Sequence, residues 1–195
     1  MRRFTFSAVT VSTLFLAGFV QAQTNYSPVE KDFVSNGKVE MTLESGSYEI
    51  RPSSDNRIHV RWNEASSKSV RARVNINLND KFADIHVENT PHDHFDATIE
   101  VPAETSLRIR MTAGNMTVSG IKGDKNIELN AGNLKIWVGD SKDWGNVDAS
   151  VVAGNVDASP FSANKSGLFR SFNWNGPGHY RLHAHLMAGN IDLIK

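Results

Sequence analysis

The chain has 195 residues, carries 21 basic and 21 acidic side chains for no net formal charge, and contains no cysteine. Without cysteine there is neither a disulfide framework nor a lipid-attached cysteine, so the fold must rest on core packing. Balanced charge with no basic stripe and no basic amphipathic helix argues against nucleic acid or an anionic membrane surface as a partner.

Residues 1–22 read as a signal peptide. Arg2 and Arg3 give a positive start, Leu14, Phe15, Leu16 and Phe19 lie at the centre of an apolar stretch, and Val20-Gln21-Ala22 is a small-residue cleavage site. The protein is therefore expected to be exported, to the periplasm or the cell surface, with an uncleaved N-terminal anchor as the alternative. No later apolar stretch could span a bilayer, so no transmembrane segment is expected after signal cleavage. Residues 23–37 are polar and are expected to be an irregular leader, and residues 38–195 to form one β-strand-repeat domain.

From Lys38 onward nearly every segment alternates apolar and polar residues, the pattern of a strand with one face buried and one wet. Ile58, Val60 and Trp62 alternate with Arg57, His59 and Arg61. Val70, Ala72, Val74, Ile76 and Leu78 follow, then Ala83, Ile85 and Val87, then Ala97, Ile99 and Val101. Pro102 and Glu104 punctuate the passage to a strand that begins at Leu107.

The second half repeats one tripeptide. Ala-Gly-Asn occurs at 113–115, 131–133, 153–155 and 188–190. The residues four and two before each alanine are apolar: Ile109 and Met111, Ile127 and Leu129, Ala149 and Val151, Ala184 and Leu186. So are those one and three after each asparagine: Met116 and Val118, Leu134 and Ile136, Val156 and Ala158, Ile191 and Leu193. A degenerate copy around Gly46 is framed by Met41, Leu43, Tyr48 and Ile50. The apolar parity reverses across the tripeptide, so a straight strand would turn the second pair outward; the chain must bend or bulge there to bring both pairs onto one core. Glycine and asparagine tolerate positive φ best, which marks Gly46, Gly114, Asn115, Gly132, Asn133, Gly154, Asn155, Gly189 and Asn190 as structural corners. Units of this kind cannot bury a core singly and stack on one another. The expected fold is all-β: a single-domain β-solenoid-like stack of strand-corner-strand repeats, with an antiparallel strand region over roughly Lys38 to Val101. No convincing helix is expected, the best candidate being one turn near Ser162 to Ser166.

These residues resemble the large bacterial family of β-strand-repeat proteins known as putative adhesins, a domain of unknown function. The resemblance runs from about Lys38 to Lys195. It is carried by Ile99-Glu100-Val101-Pro102 leading to Met111-Thr112-Ala113-Gly114-Asn115-Met116-Thr117-Val118, and by Gly167-Leu168-Phe169-Arg170-Ser171-Phe172 with the closing Ala188-Gly189-Asn190-Ile191. It implies an all-β domain in exported proteins and supplies no catalytic residues.

Several constellations could carry function. The insertion from Ser162 to His179 and its flank hold Phe169, Phe172, Trp174 and Tyr180 among glycines, rings that could form a stacking platform for a glycan or an anchor for an envelope protein. The bland alternative is a cap over the last rung, and Trp137 and Trp144 face the same choice, with the Trp137 ring expected to project outward. His183 and His185 fall on one strand face and could present imidazoles to a metal, as could His92 and His94. Asn115, Asn133, Asn155 and Asn190 could bond one another as an amide ladder. Polar-face acids such as Asp84, Glu88, Asp93, Asp96, Asp157 and Asp192 show no spacing that isolates an acid and a base, and there is no nucleophile elbow, phosphate loop or metalloprotease motif.

The expected role is therefore non-catalytic and cofactor-free: an adhesin-like binding or scaffold module of the cell envelope or periplasm. A metal-binding periplasmic protein using the His-rich strand and a carbohydrate-active β-helix enzyme are the rival expectations.

Overall fold

The computed structural model describes residues 28–63, 71–91 and 94–195, and the expected signal peptide, Val70, His92 and Asp93 lie outside these described residues. The strands in chain order are β1 (Val29–Asp32), β2 (Lys38–Leu43), β3 (Gly46–Pro52), β4 (Arg57–Trp62), β5 (Arg73–Asn79) and β6 (Phe82–Glu88). They continue with β7 (Asp96–Val101), β8 (Ser106–Val118), β9 (Lys125–Trp137), β10 (Trp144–Ala158), β11 (Ala163–Asn175) and β12 (Tyr180–Ile194). Together they make one mixed sheet that does not close on itself, in the order β1-β4-β7-β3-β8-β9-β12-β10-β11, with β2 joining β6 to β8 and β5 beyond β6.

The Ala-Gly-Asn frame explains both the bend and the core. At each corner the ladder skips one residue, Thr112, Asn130, Val152 or Met187, and the glycine after it takes a φ of 119°, 138°, 143° or 133° at Gly114, Gly132, Gly154 and Gly189. That one-residue slip reverses side-chain parity, so the apolar pairs on both sides of the corner face the same interior. Every frame residue is buried, with Met116, Leu134, Val156 and Ile191 each at 1% exposure or less. The returning connections add Ile121, Val138 and Trp144 to the same core.

The copies stack parallel and in register, Gly46 on Gly114, Gly114 on Gly132, Gly132 on Gly189 and Gly189 on Gly154. Spatial order departs from chain order here: β12, the last copy, lies between β9 and β10. All copies present the same faces, so the pattern alone permits any of them as neighbours. β11 pairs antiparallel with β10 and ends the stack. It places Lys165 and Arg170 opposite the inward Val156 and Val151, so charge terminates the apolar interior.

Three expectations need correction. Within the expected irregular leader, Val29–Asp32 is a strand paired antiparallel with β4, and Phe33 is buried. The region from Lys38 to Val101 is mixed: β5–β6 and β4–β7 are antiparallel, but β2 pairs parallel with β6 and β8, and β3 with β7 and β8. Alternation specifies faces and leaves strand direction open, and the direction follows from seating Gly46 on Gly114. Last, Ser162 to Ser166 is no helical turn; a 3-10 turn spans Ser159–Phe161 and β11 starts at Ala163. No helix among the described residues is long and apolar enough to cross a membrane.

Candidate binding site

Because β2, β8, β9, β12 and β10 run parallel, their first residues come together along one edge of the sheet. Backbone bonds stitch that edge: Lys38 N–H to the Lys81 carbonyl at 2.7 Å, Ser106 N–H to Gly37 at 3.0 Å and Leu107 N–H to Asp124 at 2.8 Å. A cleft of about 670 Å³ opens across it, lined among others by Lys38, Lys81, Arg108, Asp124, Asn126, Asn146, Arg181 and His183. A smaller cleft of about 340 Å³ shares Asn36, Ser106 and Asp124 with it and adds Glu104, Lys122, His179 and Tyr180.

Asp124 fixes the position of Arg181, accepting from its backbone N–H at 2.9 Å and from Nε and Nη2 at 3.2 and 2.9 Å. A bidentate pair of this kind holds both side chains in one geometry. Arg108 lies opposite Asn126 in the ladder. Its Nε is 3.8 Å from Glu40, which lies closer to Arg110 at 3.3 Å. Arg108 Nε and Asn126 Oδ1 are both buried without a hydrogen-bond partner.

Lys125 also lines the cleft but is only 2% exposed. Its Nζ donates to the Ile121 and Gly123 carbonyls at 2.8 and 3.1 Å and lies 4.8 Å from the centre of the Trp144 ring. Burial lowers its pKa to about 8, partly opposed by the Asp124 charge. Trp144 is itself in the core, its indole N–H donating to the Val138 carbonyl at 2.8 Å.

The four rings singled out in the sequence do not converge. Phe172 is buried and Trp174 partly so, both against Phe161, with centroids 5.8 and 4.8 Å away. Tyr180 packs edge-on to Trp144 at 6.2 Å, and Phe169 is 79% exposed at a φ of 53°. Trp137 is 40% exposed. His183 and His185 share a face, but each turns to β10: His183 Nδ1 to Asp148 at 3.1 Å, His185 Nδ1 to Ser150 at 2.9 Å. Among the described residues no group of three or more His, Cys, Asp and Glu side chains is placed to hold a metal. The corner asparagines form a continuous amide chain, Asn155 donating to Asn190, Asn190 to Asn133 and Asn133 to Asn115 at 2.9, 2.7 and 2.9 Å.

The cleft cations have no motif in the sequence, since they come from distant strand starts. One signal was available: the residue five before each corner alanine is polar in every copy, Arg108, Asn126, Asp148 and His183, and in-register stacking places these in one row.

No family model matches the chain, and no curated protein matches it in sequence. Its fold is similar to the crystal structure of a "putative cell adhesion protein" from Clostridium sporogenes, 13% identical, over 85% of this chain and 97% of that one, with a TM-score of 0.53. A "putative adhesin" from Parabacteroides distasonis aligns over 56% of each chain at 10% identity and a TM-score of 0.26. At such identity the first likeness is one of fold.

Proposed function

We propose that the protein is an exported, non-catalytic, adhesin-like binding module of the bacterial cell envelope, a solenoid-like stack that presents the cleft at its strand starts. The observation that carries this is the cleft itself, where side chains from five parallel strands meet on rigid elements and are preset by bonds such as Asp124–Arg181. Asp124 commits both oxygens to Arg181, which leaves the cleft without the paired free carboxylates that glycoside hydrolysis uses. The fold shared with a structure named for cell adhesion agrees with the role. A second contact is favoured by Phe169, a bulky residue held exposed in a left-handed backbone conformation that such residues rarely adopt.

Capture from envelope extracts separates the two. Wild-type chain, Arg181→Ala and Phe169→Ala are compared as baits. The cleft reading expects partners to be kept by Phe169→Ala and lost with Arg181→Ala; the opposite result assigns binding to the insertion tip. Identical partner lists from all three baits would sink both.

A further inference from the structure

We infer that the ligand of the cleft is an acidic glycan and that Arg108 receives its anionic group; this rests on the cleft being the binding site. Around the cleft stand Lys38, Lys81, Arg108, Lys122 and Arg181 against Asp124 and Glu104, with Glu40 3.8 Å from Arg108 but closer to Arg110. Arg181 already neutralises Asp124. The surplus is cationic, so a neutral or cationic ligand would leave it uncompensated.

Arg108 and Asn126 narrow the chemistry. They are directly opposed on β8 and β9; Asn126 offers a buried acceptor without a hydrogen-bond partner, and Arg108 a buried donor whose nearest acid, Glu40, lies 3.8 Å away, beyond hydrogen-bond reach. Such groups gain most from a ligand that supplies the missing partners. A sugar acid does so with adjacent groups, an anionic oxygen for Arg108 and a ring hydroxyl for Asn126. The Asn36 amide, both donor and acceptor, and the Asn146 side-chain carbonyl, whose nitrogen already donates to Asn175 Oδ1 at 3.0 Å, suit further hydroxyls along the same cleft. Only Leu107 and Leu182 line it with apolar side chains, and both are buried, so it offers no pocket for a greasy peptide or an acyl chain.

The test is titration calorimetry of the purified chain with an oligogalacturonate, a sulfated oligosaccharide of matched length and the carboxyl-reduced oligogalacturonate. At least one acidic form is expected to bind at least roughly tenfold tighter than the neutral one, with affinity falling as salt rises. The stronger of the two acidic forms identifies the charged group. Arg108→Ala should abolish that preference, and Arg108→Lys, which keeps the charge but loses the planar fork, should weaken it. Lys165→Ala on β11, outside the cleft, should change nothing, and circular dichroism checks that each variant is folded. Equal binding of acidic and neutral sugars, or an unaffected Arg108→Ala, overturns the inference. If none of the three sugars binds while Arg181-dependent capture of an envelope partner persists, the acidic-glycan inference falls and the binding role stands; if that capture also fails, both fall.

Discussion

A Cβ at Gly132 would run into the backbone carbonyl of Gly114, and the same collision recurs for Gly189 on Gly132 and Gly154 on Gly189. The glycine of Ala-Gly-Asn thus serves two needs, a φ of 138° at Gly132 and a close approach between rungs. Gly132→Ala is expected to cost about 3 kcal/mol or more, read as a fall in the urea midpoint; a change within experimental error would refute the stacked-corner geometry. Of the neighbouring asparagines, Asn133 and Asn155 add less because they are exposed. Asn133→Ala breaks two amide bonds and Asn155→Ala one, so the first should destabilise more, by about 1 kcal/mol per bond at most. Lys125 bears on pH. With a folded pKa of about 8 against about 10.5 unfolded, the unfolded chain binds more protons in between, so stability should rise with pH across that window. The buried Tyr48 hydroxyl, pushed above its usual 10.0, acts oppositely only higher up. Urea melts from about pH 8 to about 9.5 should therefore show an upward slope that Lys125→Met lacks.

Strand β1 pairs with β4 through the main chain, with Val29 packed on the core, and charge adds to that hold. His59 lies between Asp55 at 2.9 Å and Glu30 at 3.2 Å, while Arg57 reaches Glu30 and Asp32. Burial pulls the His59 imidazole down, but bonds to Asp55 and Glu30 and their charges outweigh it and leave the pKa raised above 6.5. A raised histidine pKa contributes stability that is complete below the unfolded value and is lost as pH rises through the folded one. Amides of Val29–Asp32 should exchange faster at about pH 8 than at about pH 6, after correction for intrinsic rates, by roughly 1 kcal/mol or less because Arg57 remains. The difference should vanish in His59→Gln, and its persistence would mean that His59 does not hold β1. The sequence disclosed β1 poorly, since Val29-Glu30-Lys31-Asp32 is short and charged and its strand character comes from its partner. Elements with an apolar frame were legible, because alternation and the parity reversal at Gly114, Gly132, Gly154 and Gly189 follow from backbone geometry alone. The cleft was hidden for the opposite reason: Lys38, Arg108, Asn126 and Arg181 become neighbours only through register, nor did the sequence show that His183 and His185 bond Asp148 and Ser150 on β10.

At the scale of the molecule the decisive fact is that the last strand, β12, lies inside the sheet, between β9 and β10. In a stack that follows chain order, deleting the last rung shortens the pile and exposes one new edge. Here β12 is the partner of β9 on one side and β10 on the other, and among the described residues β10 pairs otherwise only with β11. Ending the chain after His179 removes buried Leu182, Ala184, Leu186, Ile191 and Leu193 and cuts the β10–β11 pair from the rest. Two strands without a sheet to rest on are at best marginally stable in water, and the exposed edges of β9 and β10 would be free to pair with other chains. The truncated chain is therefore expected to lose protection of the Trp144–Ala158 amides altogether and to aggregate, whereas β1 to β9 keep their mutual pairings. Amide exchange on the 1–179 fragment is the measurement. If Trp144–Ala158 remained as protected as in the full chain, β10 would have to be stacked directly on β9, and the interleaved order, together with the cleft residues Arg181 and His183 that depend on it, would be wrong.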